Sequence, residues 1–340
     1  MKKIIRKIVK RLAITLVIII GVVILVMVYF NFPVKKERQN VSIGTTFSYT
    51  YAEGLGLDWK ETFIATLDDL EIKKIRIPVY WDRIEKEEGV YDFSHVDWQL
   101  QEAAKRDAEI VLAIGQKVPR WPECHIPKWI GDDDQRRKER VVDFVGVVVE
   151  RYKNEDVIKF WQVENEPFLN FGICPPVDVA LVDREISQVR SIDPTRKIII
   201  TDSGELSLWV KAAKRADVFG TTMYLNIWSN KLGYYEYPIG PRFFWVKKWL
   251  INLFAKQENA IVIELQAEPW VNGWVAAAPV ELQLQHMNPE ILRHNISFAK
   301  KGDFPEIYLW GAEWWYYMKV KHNHPEIWEE ARKLLDENQR

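Results

Sequence analysis

WQVENEPF, at residues 161–168, is the stretch that decides the fold. Apolar residues lead into an acidic-amide-acidic cluster, which ends at Pro167 because proline cannot continue the interior of a sheet. The pattern predicts a buried strand with the carboxylate of Glu166 at its tip. A later segment, AIVIELQAEPW at residues 260–270, predicts another buried strand that ends in Glu264. Two such strands can bring a pair of acids to one edge of a sheet.

Further strand-like runs alternate with helical patterns along the chain. The predicted strands are VSIGTTFS (41–48), KKIRIPVYW (73–81), EIVLAIGQK (109–117), VIKFWQVENEP (157–167), RKIIITDSGE (196–205), DVFGTTMYLN (217–226), NAIVIELQ (259–266) and EIYLWGAEWW (306–315). Each is nearly continuous in apolar residues, which is typical of a parallel sheet buried on both faces. The alternation predicts one α/β domain, a (β/α)8 TIM barrel over residues 41–340, with active residues at the strand C-terminal ends.

The N-terminus differs from the rest of the chain. Lysine and arginine are concentrated in residues 1–12, and no charged residue occurs from Ala13 to Phe30. An apolar run of about 18–20 residues just crosses the ~30 Å core of a bilayer. We therefore expect a cytoplasmic basic segment (1–12), a single transmembrane anchor (13–32) and a short linker (33–40). The positive-inside rule then places the barrel outside the cytoplasmic membrane. A cleaved signal peptide is the alternative, although no A-x-A-like site follows the apolar run.

Composition restricts the classes of partner. The net charge is −1, so no overall basic field favours nucleic acid. The 6 histidines form no cluster with aspartate at the predicted strand ends, so we expect neither a metal nor another cofactor. The 16 tryptophans exceed what a core needs, and flat rings can stack on sugars. Cys124 and Cys174 could form one disulfide or remain two free thiols. We expect a monomer.

The two predicted carboxylates suit the cleavage of a glycosidic bond. A retaining glycosidase uses one carboxylic acid to protonate the leaving oxygen and a nearby carboxylate to attack the anomeric carbon. Glu166 and Glu264 fit these roles if their strands lie across the barrel mouth. The negative nucleophile would then raise the pKa of the acid and keep it protonated. Asn165 could donate a hydrogen bond to the sugar 2-hydroxyl.

The motifs resemble those of a known group of enzymes. Asn-Glu-Pro at the fourth strand, Glu at the seventh, the Trp-rich end of the eighth and IRIPVYWDRIEKEEGVYDF at residues 75–93 resemble the clan A glycoside hydrolases. This clan includes family 5 cellulases and mannanases and the families that contain β-galactosidases. The resemblance covers the chain from about Val41. It implies roles for Glu166 (acid/base), Glu264 (nucleophile), Arg76 (support of the nucleophile), Tyr224 (hydrogen bond to the nucleophile) and Trp315 (sugar platform).

Several assignments have alternatives. Glu268 lies four residues after Glu264 and is the rival nucleophile, but only Glu264 directly ends the apolar run. His125, in a loop, could bind sugar hydroxyls. Trp270 is expected to contact substrate. Sugar contact and packing are both open for the other tryptophans near strand ends: Trp121, Trp129, Trp274, Trp310 and Trp314.

The favoured function is a membrane-anchored retaining β-glycosidase that acts on a β-linked oligo- or polysaccharide outside the cytoplasmic membrane. A transglycosylase would use the same residues and differ only in its acceptor. A non-catalytic glycan-binding barrel is the second alternative, but it would tolerate loss of either carboxylate.

Overall fold

Residues 2–339 are described by the computed structural model, with side chains described for residues 4–337. The strands are β1 (Ser42–Thr46), β2 (Lys74–Pro78), β3 (Glu109–Ile114), β4 (Ile158–Val163), β5 (Lys197–Asp202), β6 (Val218–Met223), β7 (Asn226–Ser229), β8 (Gly233–Glu236), β9 (Ala260–Gln266) and β10 (Glu306–Trp310). The helices are α1 (Lys2–Asn31), α2 (Tyr49–Gly54), α3 (Trp59–Asp68), α4 (Trp81–Ile84), α5 (Ser94–Ala104), α6 (Asp134–Tyr152), α7 (Val179–Ile192), α8 (Val210–Ala213), α9 (Pro241–Ala255), α10 (Val280–His286), α11 (Pro289–Lys301), α12 (Ala312–His322) and α13 (Glu326–Gln339). Short 3-10 turns occur at Lys128–Ile130 and Val275–Ala277.

The strands close into a parallel barrel, in the order β1-β10-β9-β6-β5-β4-β3-β2. The predicted (β/α)8 fold is therefore confirmed. The antiparallel hairpin β7–β8 is an insertion between β6 and α9 that the sequence pattern did not predict. Apolar side chains are buried on both sides of the barrel wall, which explains why the strands lack polar alternation.

The last predicted strand is too long. β10 ends at Trp310, and α12 begins at Ala312. Gly311 turns the chain with φ 150°, and a Cβ there would lie 2.7 Å from the carbonyl oxygen of Ala267. Only glycine fits this position. Residues 312–315 are therefore helical. The sequence WGAEWW does not mark the boundary, because buried tryptophans lie on both sides of Gly311, at the end of the strand and in the first turn of the helix.

A β-bulge in β9 determines which way its acidic residue points. Val262 pairs with Thr221 and Glu264 pairs with the next residue, Thr222, so Ile263 is the extra residue of the bulge. Ile261 and Ile263 belong to the cluster inside the barrel. Regular alternation would direct Glu264 outward, whereas the bulge allows it to follow Ile263 towards the barrel axis.

Helix α1 continues without a break through the predicted basic segment and apolar run. Ile4–Asn31 is long and apolar enough to cross a membrane and is the one such helix among residues 2–339. Its last turn contacts the barrel, where Asn31 Nδ2 donates to the carbonyl oxygen of Pro238 at 3.0 Å. The chain then runs along the barrel wall, with Arg38 N donating to Lys300 O at 3.1 Å, before β1 begins.

Candidate active site

The acidic residues of β4 and β9 meet in one cleft at the C-terminal end of the barrel. The cleft has a volume of about 940 Å³, and its walls include Glu166, Glu264, Asn165, Tyr224 and Trp270. His125 also lines it. The structure thus brings together the sequence-predicted site residues, with Arg76 directly behind the wall and Trp315 as the exception.

Glu264 is held by two side chains at the inner end of the cleft. Arg76 Nη1 donates to Glu264 Oε1 at 2.7 Å, and the Tyr224 hydroxyl donates to Glu264 Oε2 at 2.9 Å. The Glu264 side chain is only 4% exposed. Both carboxylate oxygens are therefore oriented by donors that favour a negative charge. Burial, together with the neighbouring charge of Glu264, raises the pKa of Tyr224 well above its usual range, so its hydroxyl stays a donor.

Arg76 links the two acidic strand ends. It is fully buried on β2, and its other donors reach Gln162 Oε1 at 2.7 Å and Asn165 Oδ1 at 2.6 Å. A buried guanidinium needs an anion and well-made hydrogen bonds to offset its loss of hydration. Glu264 supplies the anion. Asn165 Oδ1 accepts from Arg76, so the side chain is oriented with Nδ2 as its donor. Asn165 Nδ2 donates to Glu123 Oε2 at the cleft wall, at 3.4 Å.

Glu166 lies in a turn after β4 that has a strained backbone and is held by hydrogen bonds. Its φ is 44° and that of Glu164 is 58°, values that cost free energy in residues other than glycine. Glu166 N donates to Thr201 Oγ1 at 2.7 Å, and Thr222 Oγ1 donates to Glu166 Oε1 at 3.1 Å. The Glu164 carboxylate clamps the neighbouring loop by accepting from the backbone N–H groups of residues 116 and 117, each at 2.8 Å.

The protonation of Glu166 follows from its surroundings. Burial is the largest cause that raises its pKa well above the usual range, and the negative charges of Glu264 and Glu123 raise it further. Lys117 opposes this shift. Because the charged form is disfavoured, Glu166 is the carboxyl of the pair that is suited to carry a proton at neutral pH.

Glu123 is a third carboxyl of the cleft, and the sequence pattern did not identify it. It is 7% exposed and lines the same wall as Glu166. Burial, then the charge of Glu264, raises the pKa of Glu123 to about 7. The disulfide between Cys124 and Cys174 fixes the loop after β3 to the loop after β4. Of the two alternatives for the cysteines, the structure therefore shows pairing. The one sequence signal for Glu123 is its place beside Cys124.

Glu268, the rival nucleophile, belongs to a neighbouring cluster around Arg120. The Arg120 guanidinium lies between the rings of Tyr51 and Trp310, 3.6 and 4.1 Å from their centroids. Glu268 accepts from Arg120 and, at 2.9 Å, from Trp310 Nε1, while Glu313 accepts from Arg120 at 3.2 Å. Glu268 thus forms its ion pair with Arg120, whereas Arg76 pairs with Glu264. The contacts favour Glu264 over Glu268 as the functional carboxylate.

Trp315 is not the sugar platform that the resemblance implied. It lies in α12, is fully buried, and donates from Nε1 to the carbonyl oxygen of Ala267 at 2.6 Å. The assignment was wrong because β10 ends five residues earlier, at Trp310. Trp310 lines the cleft and is the aromatic residue at this strand end.

The other aromatic residues fall into two groups. Trp121, Trp270 and Trp274 line the cleft, and the Trp270 ring packs edge-on against Tyr224 with centroids 5.2 Å apart. Trp129 donates to the carbonyl oxygen of Glu85 outside the cleft, and the remaining one, Trp314, is fully buried. Packing therefore explains the last two.

His125 and Glu205, an acid that follows β5, have structural partners. The His125 ring packs against Tyr80, and its Nε2 lies 3.2 Å from the carbonyl oxygen of Arg120. Glu205 accepts from Tyr224 N at 3.0 Å and, like Asp202, is not part of the cleft wall. Glu205 therefore supports Tyr224 from behind.

A parallel (β/α)8 barrel with a buried acid, an arginine-held carboxylate and aromatic walls at its mouth defines a glycoside hydrolase of the clan A type. The family model described as cellulase (glycosyl hydrolase family 5) matches residues 37–233, more than half of the chain. The chain belongs to glycosyl hydrolase family 5. A search of curated protein sequences finds no match.

Solved structures share the fold at low sequence identity. A β-galactosidase from Bacillus circulans sp. alkalophilus superposes with a TM-score of 0.60 at 12% identity, covering 89% of this chain and 56% of that one. An exo-β-1,4-mannosidase from Opitutaceae bacterium strain TAV5 superposes with a TM-score of 0.54 at 15% identity. The match covers 88% of this chain and 61% of that one. An endo-β-1,4-mannanase from Thermotoga petrophila superposes with a TM-score of 0.54 at 16% identity. The match covers 81% of this chain and 68% of that one. The chain thus spans less than two thirds of the length of the first two.

Proposed function

We propose that this glycoside hydrolase is a retaining β-glycosidase that cleaves O-glycosidic bonds in a β-linked oligo- or polysaccharide by double displacement. The observation that carries the proposal is the contrast between two buried carboxyls. Glu264 is held by Arg76 and Tyr224, whereas no lysine or arginine among the described residues donates a hydrogen bond to the Glu166 carboxyl, whose pKa is raised by burial; Lys117 bonds only to the Glu166 backbone carbonyl. The charged Glu264 carboxylate suits a nucleophile, and the Glu166 carboxyl suits a general acid.

In the first step, a Glu264 oxygen attacks the anomeric carbon as the glycosidic bond breaks. Glu166 gives its proton to the departing oxygen, so the leaving group departs as an alcohol and a glycosyl ester of Glu264 remains. This ester removes the negative charge of Glu264, which had raised the pKa of Glu166. Glu166, now ionised, takes a proton from water in the second step, and the resulting oxygen displaces Glu264 with net retention.

Two further residues act on the transition state. Asn165 Nδ2 faces the cleft because its oxygen is occupied by Arg76, and it can donate to the 2-hydroxyl as the sugar ring acquires oxocarbenium character. The Tyr224 hydroxyl orients Glu264 Oε2 until the ester forms. Trp310, Trp270 and the exposed rings of the outer cleft offer flat apolar surfaces to sugar faces.

Anomeric analysis tests this mechanism. We expect proton NMR of early hydrolysis of β-linked oligosaccharides to show the β-anomer of the new reducing end before mutarotation. The α-anomer as first product would contradict the nucleophilic role of Glu264. Longer oligosaccharides among the products would identify the transglycosylase alternative. Binding without any bond cleavage would instead identify a glycan-binding barrel.

Replacement of Glu123 tests the electrostatic coupling of the cleft. A negative Glu123 raises the pKa of Glu166, so Glu123→Gln should lower it. The basic limb of the kcat/KM profile, which reports loss of the proton of the acid, should therefore move to lower pH. Glu205→Gln is the matched control, because Glu205 is a half-buried carboxyl that also has a pKa of about 7 but is not part of the cleft wall. An unshifted basic limb in Glu123→Gln would contradict the coupling.

We further propose that α1 anchors the enzyme in the cytoplasmic membrane, with residues 1–12 inside, 13–32 spanning, 33–40 as linker and 41–340 as the extracytoplasmic catalytic domain. The basic residues before the apolar run support this orientation. The Cys124–Cys174 disulfide supports it independently, since disulfides persist in oxidising compartments. The chain should resist extraction from membranes by alkaline carbonate, whereas release of a shorter chain would indicate a cleaved signal peptide.

A further inference from the structure

Exposed aliphatic side chains lie in the loops after three neighbouring barrel strands, at the same end of the barrel as the cleft but not in its wall. Ile173, in the loop after β4, is 68% exposed; Leu206 and Leu208, after β5, are 66% and 74% exposed. Leu232, between β7 and β8, is 67% exposed. None of these four lines the cleft, and branched aliphatic side chains are not the flat platforms that sugars stack on. Their grouping at one end of the barrel indicates an apolar partner.

The opposite end of the barrel is different. Within residues 42–337, the loops that lead into barrel strands carry no exposed large apolar residue; Leu70 and Phe304 are fully buried there, and Val157 is partly buried. The other exposed large apolar side chains of the barrel lie on helices, on β8, or in connections that follow barrel strands. They are Trp249, Leu253 and Phe254 on α9, Val320 on α12, Tyr234 on β8, and, in the connections, Val90 and Val177 besides the cleft residues Trp121, Phe171 and Trp274. The exposed loop residues are therefore confined to the mouth.

The end of α1 is fixed to the same mouth. Asn31 bonds to Pro238, which lies in the connection between β6 and α9 that also carries Leu232. The Phe30 ring packs edge-on against Phe243, with centroids 5.2 Å apart. At Gly240 a Cβ would lie 2.5 Å from the Phe30 carbonyl oxygen, so helix and loop touch through their backbones. The point where the apolar run ends therefore lies beside the mouth loops.

Aromatic and basic residues, the types common at a membrane interface, occur where α1 meets the start of α9 and the loop before it. The Arg242 guanidinium lies over the rings of Tyr29 and Phe32, 5.2 and 4.8 Å from their centroids. Aromatic and basic side chains are favoured where a span leaves the hydrocarbon core. Lys231, next to Leu232, and Lys211, three residues after Leu208, add charges that suit anionic lipid headgroups.

We propose that the mouth of the barrel lies against the outer surface of the bilayer that α1 spans, with Ile173, Leu206, Leu208 and Leu232 in contact with lipid. The cleft would then open towards the membrane and take a saccharide that is presented at its surface. This inference rests on the proposed anchor and deepens the proposed function, but the docking itself does not depend on catalysis.

Site-directed labelling of the full chain tests this orientation. Both native cysteines are paired and residues 4–337 contain no free thiol, so an introduced cysteine can be labelled selectively with an environment-sensitive fluorophore. The labelled variants are Leu208→Cys at the mouth, Leu253→Cys on α9 and Val320→Cys on α12. Each is reconstituted into phosphatidylcholine and phosphatidylglycerol vesicles whose acyl chains carry a quencher.

We expect several-fold stronger quenching at residue 208 than at residue 320. Strong quenching at residue 253 with none at residue 208 would mean that the barrel lies on its side, and equal weak quenching at all three would mean that it stands clear of the bilayer. Either result would overturn the proposal. Hydrolysis of a soluble aryl glycoside by the same variants reports separately on the active site, so a failure of the catalytic proposal would not be mistaken for a failure of docking.

Discussion

Replacing Glu264 with alanine should reduce turnover by roughly 10⁴-fold or more, because the substitution removes the atom that forms the glycosyl ester. Azide should restore part of the activity by entering the space left by the carboxylate. The product should then be an α-glycosyl azide, since azide attacks from the side of the missing nucleophile while Glu166 still protonates the leaving group. Product analysis by NMR, with steady-state rates in increasing azide, measures both effects.

Glu268→Ala is the matched control for this substitution. Glu268 lies four residues from Glu264 in the same cleft, but it is neutralised by Arg120 rather than by Arg76. Its loss should disturb Arg120 and Trp310 and weaken substrate binding without creating a site for azide. If Glu268→Ala gave the α-glycosyl azide and Glu264→Ala did not, the nucleophile would be Glu268.

Replacing Glu166 with alanine should have a large effect that depends on the leaving group. A good aryl leaving group departs without protonation, so the ester on Glu264 still forms, but its hydrolysis should slow by roughly 10²- to 10⁴-fold without a general base. Substrates with poor leaving groups should lose activity in the first step as well. Azide needs no base and should attack the ester to give a β-glycosyl azide, opposite in configuration to the product of Glu264→Ala.

Pre-steady-state measurements separate the two steps in Glu166→Ala. A burst of aryl alcohol followed by slow turnover is expected with the good leaving group. Glu205→Gln, which alters a half-buried carboxyl behind Tyr224, should show neither the burst nor the azide product. Equal losses for good and poor leaving groups would show that Glu166 is not the acid/base.

The barrel and the positions of its two principal acids could be predicted from the sequence because both signals are local. Each strand is an apolar run, and Glu166 and Glu264 terminate two of these runs. The orientation of Glu264 was not predictable in the same way, since it depends on a bulge at Ile263 that pairing with β6 reveals.

The residues that the sequence did not identify are in loops or depend on distant contacts. Arg120 and Glu123 belong to the loop after β3, whose shape depends on the disulfide to Cys174 fifty positions away. No periodic pattern marks such residues. The resemblance implies Trp315 as the platform rather than Trp310, because tryptophans lie on both sides of the turn at Gly311 and hydrophobicity does not separate the strand from the helix there.

Trapping the covalent intermediate tests the central claim most directly. A panel of 2,4-dinitrophenyl 2-deoxy-2-fluoro-β-glycosides should inactivate the enzyme through at least one sugar, because the fluorine slows hydrolysis of the ester more than its formation. We predict an intact mass increased by one fluoroglycosyl group, and peptide mapping that places the group on Glu264. A label on Glu268 or on another residue would contradict the account.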